Sequence, residues 1–286
     1  MQIKEFRLVL PYDLEEYQRG QLYGVAEMSK NETGGGEGVE VVRQESFTST
    51  TLKPGRTYAG VYTQKIYRLK SKVPYFFRKM FPDSAFVLYE ESWNAYPYTK
   101  TVVTNPDYMK KNFSVCVESF HAADRGEQTN ALDLTKDQLK KREVVFLDIA
   151  DDKHLKKSDH TENNNVGEFI SQRTGRGPLT KGWARKQRPI MTTYKVVTVY
   201  FKWFGLQNRV ESAIMNSYPR LFVKFHREMF CWIDRWYDLS LEEVRAFEEE
   251  TKEKLKNQLE EGSIKGMTAA AEEGGSERKK SESDSD

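Results

Sequence analysis

Apolar and polar positions alternate with a period of two over eight stretches of the chain. The alternation predicts strands over 3–11, 38–45, 58–69, 85–90, 100–104, 113–120, 143–149 and 193–203. Four other segments carry the helical period. In 13–30, Leu14, Tyr17, Leu22, Val25 and Ala26 recur at helical spacing behind Asp13, a residue type that caps a helix. A second helix is expected from near Leu206 towards Asn216, with Pro219 kinking or restarting it before 221–236. The last helix, 240–260, opens Ser240-Leu241-Glu242-Glu243, a capping box. Beyond it the chain turns polar, and disorder is expected. The elements read as one α+β domain over 1–265, an antiparallel sheet with a few long helices, then an acidic, serine-rich tail over 266–286.

Strand parity sorts side chains by face. On 193–203, Lys195 falls with Val197, Val199, Phe201 and Trp203. On 62–69, Lys65 falls with Thr63, Tyr67 and Leu69. On 113–120, Ser119 falls with Phe113, Val115 and Val117. A desolvated ammonium is costly, so two lysines on apolar faces need an explanation. One is pairing with buried carboxylates, or snorkelling from strand ends. The other is an interior cavity where lysines and hydroxyls meet an anionic group and the remaining wall is apolar, a mixture that suits a phospholipid. The step Trp203-Phe204-Gly205 ends a strand ahead of a helix. Two adjacent aromatics cannot both enter one core, so one faces outward as an interfacial anchor or packs beneath the next helix.

Composition removes several classes. Among the 286 residues no apolar run reaches membrane-spanning length, and the N-terminus has no apolar signal core. Two cysteines, Cys116 and Cys231, cannot form a disulfide framework, so a soluble protein of a reducing compartment is expected. The net charge is +2; residues 272–286 hold six acids and three bases (net −3), leaving +5 on the remainder. That excess favours an anionic membrane weakly, by about 1 kcal/mol per basic group near it, and is too scattered for nucleic acid. The run 29–38 (SKNETGGGEG) follows a helix and lacks Gly-Lys-[Ser/Thr], so it reads as a flexible turn rather than a phosphate loop. The four histidines are scattered, with no His-Glu-x-x-His, Cys-x-x-Cys or Gly-x-Ser-x-Gly. No metal, cofactor or enzyme activity is expected.

At these residues the chain resembles a class I phosphatidylinositol transfer protein of the single-domain, alpha/beta type, over almost its whole length. The matching segments are 15–23 (EEYQRGQLY), 29–41 (SKNETGGGEGVEV), 63–67 (TQKIY), 92–98 (SWNAYPY), 174–179 (TGRGPL), 194–208 (YKVVTVYFKWFGLQN), 225–238 and 265–268 (KGMT). The glycine loop and the KGMT segment favour class I over the retinal-degeneration branch. The resemblance implies a helix-grip, START-like fold: a concave antiparallel sheet and long helices enclosing one phospholipid. It implies that Thr63, Lys65, Glu90 and Asn94 contact inositol, that Thr101 and Lys195 bind the headgroup, and that Gln21 and Ser119 lie near the phosphate. Trp203 and Phe204 match a membrane-docking Trp-Trp pair, Glu248 lies on the lid helix, and Ser171 matches a kinase-target serine in a regulatory loop.

Three features depart from the pattern. Thr99 stands at an alkylation-sensitive cysteine position, Tyr218-Pro219 replaces a polar, helix-compatible pair, and the tail carries additional serines at 281, 283 and 285. The implied function is a monomeric carrier, with phosphatidylinositol or phosphatidylcholine as its one cargo. It would be cytoplasmic and transiently on membranes such as those of the Golgi, endoplasmic reticulum and nucleus. The alternative is a sensor presenting phosphatidylinositol to phosphoinositide kinases without bulk transport; an enzyme on the same superfold is a third class.

Overall fold

The computed structural model describes residues 1–161 and 164–266. The elements run β1 (Gln2–Leu10), α1 (Leu14–Glu32), β2 (Gly38–Ser49), β3 (Tyr58–Arg68), α2 (Tyr75–Met80), β4 (Val87–Ala95), β5 (Tyr98–Asn105) and β6 (Lys110–Ala122). They continue with α3 (Lys136–Lys141), β7 (Glu143–Leu147), β8 (Met191–Phe201), α4 (Gln207–Cys231), α5 (Ile233–Trp236) and α6 (Leu241–Glu260). The anticipated tail falls on residues outside this description.

Eight strands form one sheet in the order β2-β3-β4-β5-β6-β8-β1-β7. All neighbours pair antiparallel except β1 with β7, so the sheet is mixed at one edge. Helices α1, α4 and α6 cover one face. Beneath them Phe6, Leu8 and Leu10 of β1 and Val197 and Val199 of β8 meet Met215 and Val223 of α4, all essentially without exposure. A smaller cluster of Ile3, Tyr98, Leu132, Leu134, Tyr194 and Val196 seals the other face. The dense core therefore sits over β1, β8 and β6. Over β3 and β4 the sheet behaves differently: nearly every residue of both strands is half-buried, whichever way its side chain points.

Local chemistry sets the helix starts. Asp13 accepts the Glu16 amide at 2.8 Å and the Glu16 carboxylate accepts the Asp13 amide at 2.9 Å. Ser240 and Glu243 repeat this exchange at the head of α6. Pro219 does not interrupt its helix. α4 runs unbroken through it, although proline removes the bond to the Met215 carbonyl and costs a free helix about 3 kcal/mol. Met215 before the proline and Val223, His226, Met229 and Phe230 after it are buried, so both flanks are held against the core. The break comes instead at Trp232, where the backbone leaves helical geometry (φ −92°, ψ 5°).

The glycine run has a definite role. Gly35 and Gly36 donate their amides to the carbonyls of Glu261 and Leu259, at 3.1 and 2.8 Å, closing the end of α6. Gly35 adopts φ +62°, and a Cβ there would lie 2.6 Å from the Ile264 nitrogen, so only glycine brings the two backbones this close. Lys72 completes the catch, bonding Glu32 at 2.7 Å and the Lys265 carbonyl at 2.8 Å.

The long segment after β7 is pinned by charge. Asp159 receives Arg220 at 2.7 and 2.8 Å. Arg227 bonds Asp152 and the Ile149 carbonyl, each at 2.5 Å. Arg176 grips Glu16 of α1 through two parallel bonds of 2.8 Å.

Candidate functional site

Register brings the expected residues together on the helix-covered face. One row across the sheet reads Asn94, Thr99, Ser119, Lys195, Phe6. The next reads Thr63, Ser92, Thr101, Val117, Val197, and the third Lys65, Glu90, Val103, Val115, Val199. Rows two residues apart on one face are about 7 Å apart along the strand. Seven of the expected ligands (Thr63, Lys65, Glu90, Asn94, Thr101, Ser119 and Lys195) thus occupy one patch, polar towards β3 and β4 and valine-lined towards β8. Polar chemistry at one end and aliphatic wall at the other is the arrangement an amphiphile requires.

Lys195 is 8% exposed and points its Nζ at Ser119 Oγ, 3.4 Å away, and over the Phe222 ring of α4 at 5.4 Å. Burial pushes its ammonium down to about 8. The nearby imidazoles do not compete for its proton. His226 takes the Tyr17 hydroxyl on Nε2 at 3.1 Å and gives Nδ1–H to the Phe222 carbonyl at 2.7 Å, while burial pushes it down to about 3. His121, packed between Tyr17 and Tyr96, is likewise held neutral by burial.

Lys65 lies 3.7 Å from Glu90. The second Glu90 oxygen accepts the Tyr67 hydroxyl at 3.1 Å, and Ser92 bonds Thr101 at 3.1 Å in the adjoining row. Tyr67 and, from α4, Tyr218 keep part of their surface open, yet their phenols are raised far above the ordinary range because protein surrounds them. Gln21 falls on the stripe of α1 that also carries Val25 and Ser29, four residues apart. Val25 and Ser29 join Thr63, Lys65, Glu248 and Thr251 around a pocket of about 60 Å³ beneath α6. Burial raises the Glu248 carboxyl, against the pull of Arg245 at 2.7 Å and of Lys65.

A wider cleft of about 540 Å³ opens between Arg56, Tyr58, Tyr96 and Phe120. It contains none of the expected residues, and Arg56 is already paired with Asp133 at 2.8 Å. Phospholipid chemistry therefore points to the inner face. Sequence reasoning passed over Ser92 and Tyr218. Ser92 was within reach, since it alternates with Glu90 and Asn94; nothing local marks Tyr218 as facing the sheet.

Trp203 and Phe204 sit in the turn between β8 and α4, 41% and fully exposed. Trp203 stands on Tyr108 and Phe81, at 6.0 and 5.6 Å. Tyr75, Phe76 and Met80 of α2 are also exposed, with Arg209 over Phe76 at 4.3 Å. Ser171 is buried and donates its hydroxyl to Asp234, which also takes the amides of Gln172 and Arg173 at 2.8 and 3.1 Å.

Residues 1–253 match the family model described as phosphatidylinositol transfer protein. This chain belongs to the phosphatidylinositol transfer protein family. It is 45% identical over 273 residues to phosphatidylinositol transfer protein beta isoform of Bos taurus and of Homo sapiens, covering 94% of this chain and 98% of each relative. It is 44% identical over 264 residues to phosphatidylinositol transfer protein 1 of Dictyostelium discoideum, covering 91% of this chain and 97% of that one. The helix-gripped sheet of this transfer-protein family accounts for the inward-facing lysines. Among the described residues no group of histidine, cysteine and carboxylates could hold a metal, and no helix is long and apolar enough to cross a membrane.

Proposed function

We propose that this chain carries phosphatidylinositol and phosphatidylcholine between membranes, one lipid per monomer, and makes or breaks no bond in doing so. The observation that carries this reading is the single inner face on which Lys195, Ser119, Lys65, Glu90 and Asn94 converge, in a chain of this family. A diacyl lipid hides about thirty methylenes, each worth about 0.8 kcal/mol away from water, so unassisted desorption is very slow. The valine rows replace the bilayer, and the driving force is only the concentration difference between membranes.

Lys195 and Ser119, with Gln21 from α1, hold the phosphate that both lipids share. Thr63, Lys65, Glu90, Asn94 and Thr101 pair with inositol hydroxyls, which choline lacks. Helix α6 is the part that moves. It buries only Val244, Thr251 and Leu255, whereas the segment after β7 is pinned by buried ion pairs. Glu248 returns opposite Lys65 when it closes. The anchored segment is thus a wall of the cavity and not a second gate. Phosphorylation of Ser171 requires that its loop first leave Asp234, because a phosphate cannot share that carboxylate. The carrier works in the cytoplasm and visits membranes transiently. Phosphoinositide kinases at an acceptor membrane would consume its cargo, but transfer needs none of them, which separates this reading from a sensor.

Lipid extracted from the protein purified out of eukaryotic cells is expected to contain phosphatidylinositol and phosphatidylcholine, near one molecule per chain by mass spectrometry. A sterol or a fatty acid in their place would refute the assignment. Docking has its own test. Trp203→Ala with Phe204→Ala removes two exposed rings and no buried contact of the cavity. Transfer between vesicles should fall at least about tenfold, with the lipid content in solution unchanged. Undiminished transfer would take the docking role away from this turn.

A further inference from the structure

Glu90 is the one carboxylate on the polar patch of the sheet, and its surroundings hold two groups to which the family resemblance gives no role. The Tyr67 hydroxyl, two residues beyond Lys65 on β3, donates to one Glu90 oxygen at 3.1 Å. The other oxygen faces Lys65 at 3.7 Å, beyond hydrogen-bond length. On the helix side Tyr218 of α4 packs on Phe222, ring centres 5.3 Å apart, and lies within electrostatic range of both Glu90 and Tyr67. Phe222 is also the ring beneath Lys195 and against Phe6, so Tyr218 stands on the face of α4 that looks at the sheet. Both tyrosines are half-buried.

We infer that Tyr67 and Tyr218 form a phenolic cage around Glu90 that sets the preference for a polyol headgroup. Tyr67 is the positioning residue. A carboxylate on a rotatable stem serves as an acceptor in many orientations, and a fixed donor on one oxygen aims the other into the cavity. A ring hydroxyl can donate to that second oxygen, which Lys65 faces without a hydrogen bond; a trimethylammonium cannot. Tyr218 closes the same subsite from the helix side, adding a hydroxyl that accepts and donates. The shared phosphate contacts at Ser119 and Lys195 lie two and three strands away and do not depend on the cage. This inference rests on the phospholipid reading above and refines it at one residue.

The test compares vesicle-to-vesicle transfer of phosphatidylinositol and of phosphatidylcholine by Tyr67→Phe, Tyr218→Phe, Glu90→Gln and the double variant Tyr67→Phe with Glu90→Gln. Each change removes a hydroxyl or a charge at nearly constant volume, so the fold is retained. Hydrogen bonds to a charged group are strong enough that Tyr67→Phe should lower phosphatidylinositol transfer about tenfold. Tyr218→Phe should lower it several-fold, and phosphatidylcholine transfer should hold in both. On the Glu90→Gln background, Tyr67→Phe should cost nothing further, as expected of a residue that acts through Glu90. Equal loss of both lipids, additive loss in the double variant, or an unchanged lipid preference in both tyrosine variants would overturn the cage. A Glu90→Gln protein with intact phosphatidylinositol transfer would instead overturn the headgroup reading on which the cage depends.

Discussion

Lys195→Met should give a protein that melts higher when empty and no longer loads a phospholipid. The two effects share one cause. Burial among Phe222, Ser119 and the β6–β8 valines pushes the ammonium from 10.5 down to about 8, so the folded chain holds this proton less tightly than the unfolded chain does. The penalty is fully present below pH 8, on the order of 3 kcal/mol, and is relieved as pH rises from 8 towards 10.5. Methionine fills the same volume without the charge, and the empty variant should gain several degrees in melting temperature at pH 7. A phosphodiester beside Nζ turns the penalty into an attraction, because it supplies the counter-charge that the apolar walls lack. Loading of both lipids by the variant should therefore fall by a factor of about a hundred. In the natural chain, loading should decline as pH climbs past 8. Scanning calorimetry and lipid counts on the same sample check both halves. A lower melting point together with normal lipid content would show that Lys195 serves the fold and not the cargo.

Arg176→Met should destabilise the chain more than any change at the surface. Arg176 and Glu16 are 8% and 5% exposed and bonded through both guanidinium branches, and Arg176 also reaches the Pro11 carbonyl at 3.2 Å. Removing the arginine leaves the Glu16 carboxyl group buried without its partner and still tied to its capping amide. Breaking such a pair costs about 3–5 kcal/mol, which corresponds to a fall of about 10 °C for a domain of this size. The second change Glu16→Gln, which keeps the cap and discards the charge, should restore most of the loss. A shift of the single variant within about 2 °C would mean that water reaches Glu16 and the pair is not desolvated.

Local rules read the strands well and the long-range contacts not at all. Parity placed Thr63 with Lys65, Ser119 and Lys195 each on the more apolar face of its own strand, because alternation depends only on neighbours along the chain; that these faces coincide came from the register. Glu90, Asn94 and Thr101 were reachable only through the family resemblance, since a polar residue on a strand looks the same whether it faces solvent or a cavity. The helix does not restart at Pro219, because burial on both flanks of the proline outweighs the lost hydrogen bond. The parallel β1–β7 pairing and the Glu16–Arg176 clamp, whose members are 160 positions apart, leave no local trace. The glycine run was read as a flexible turn, whereas its value lies in a contact with residues more than two hundred positions later.

That contact gives the closing helix the mechanics of a lever. α6 has 20 residues, so its far end lies about 30 Å from the turn where it leaves α5. A swing of only about 5° at that pivot carries the far end about 3 Å, enough to part both main-chain bonds from Gly35 and Gly36. Two weak bonds placed at the greatest radius resist rotation as much as several would near the axle. They also fail together, so the helix is either caught or free. Since the catch takes only main-chain carbonyls from the end of α6 and the residues after it, side-chain substitutions along α6 leave it engaged, whereas a side chain added at Gly35 meets backbone and holds the door ajar.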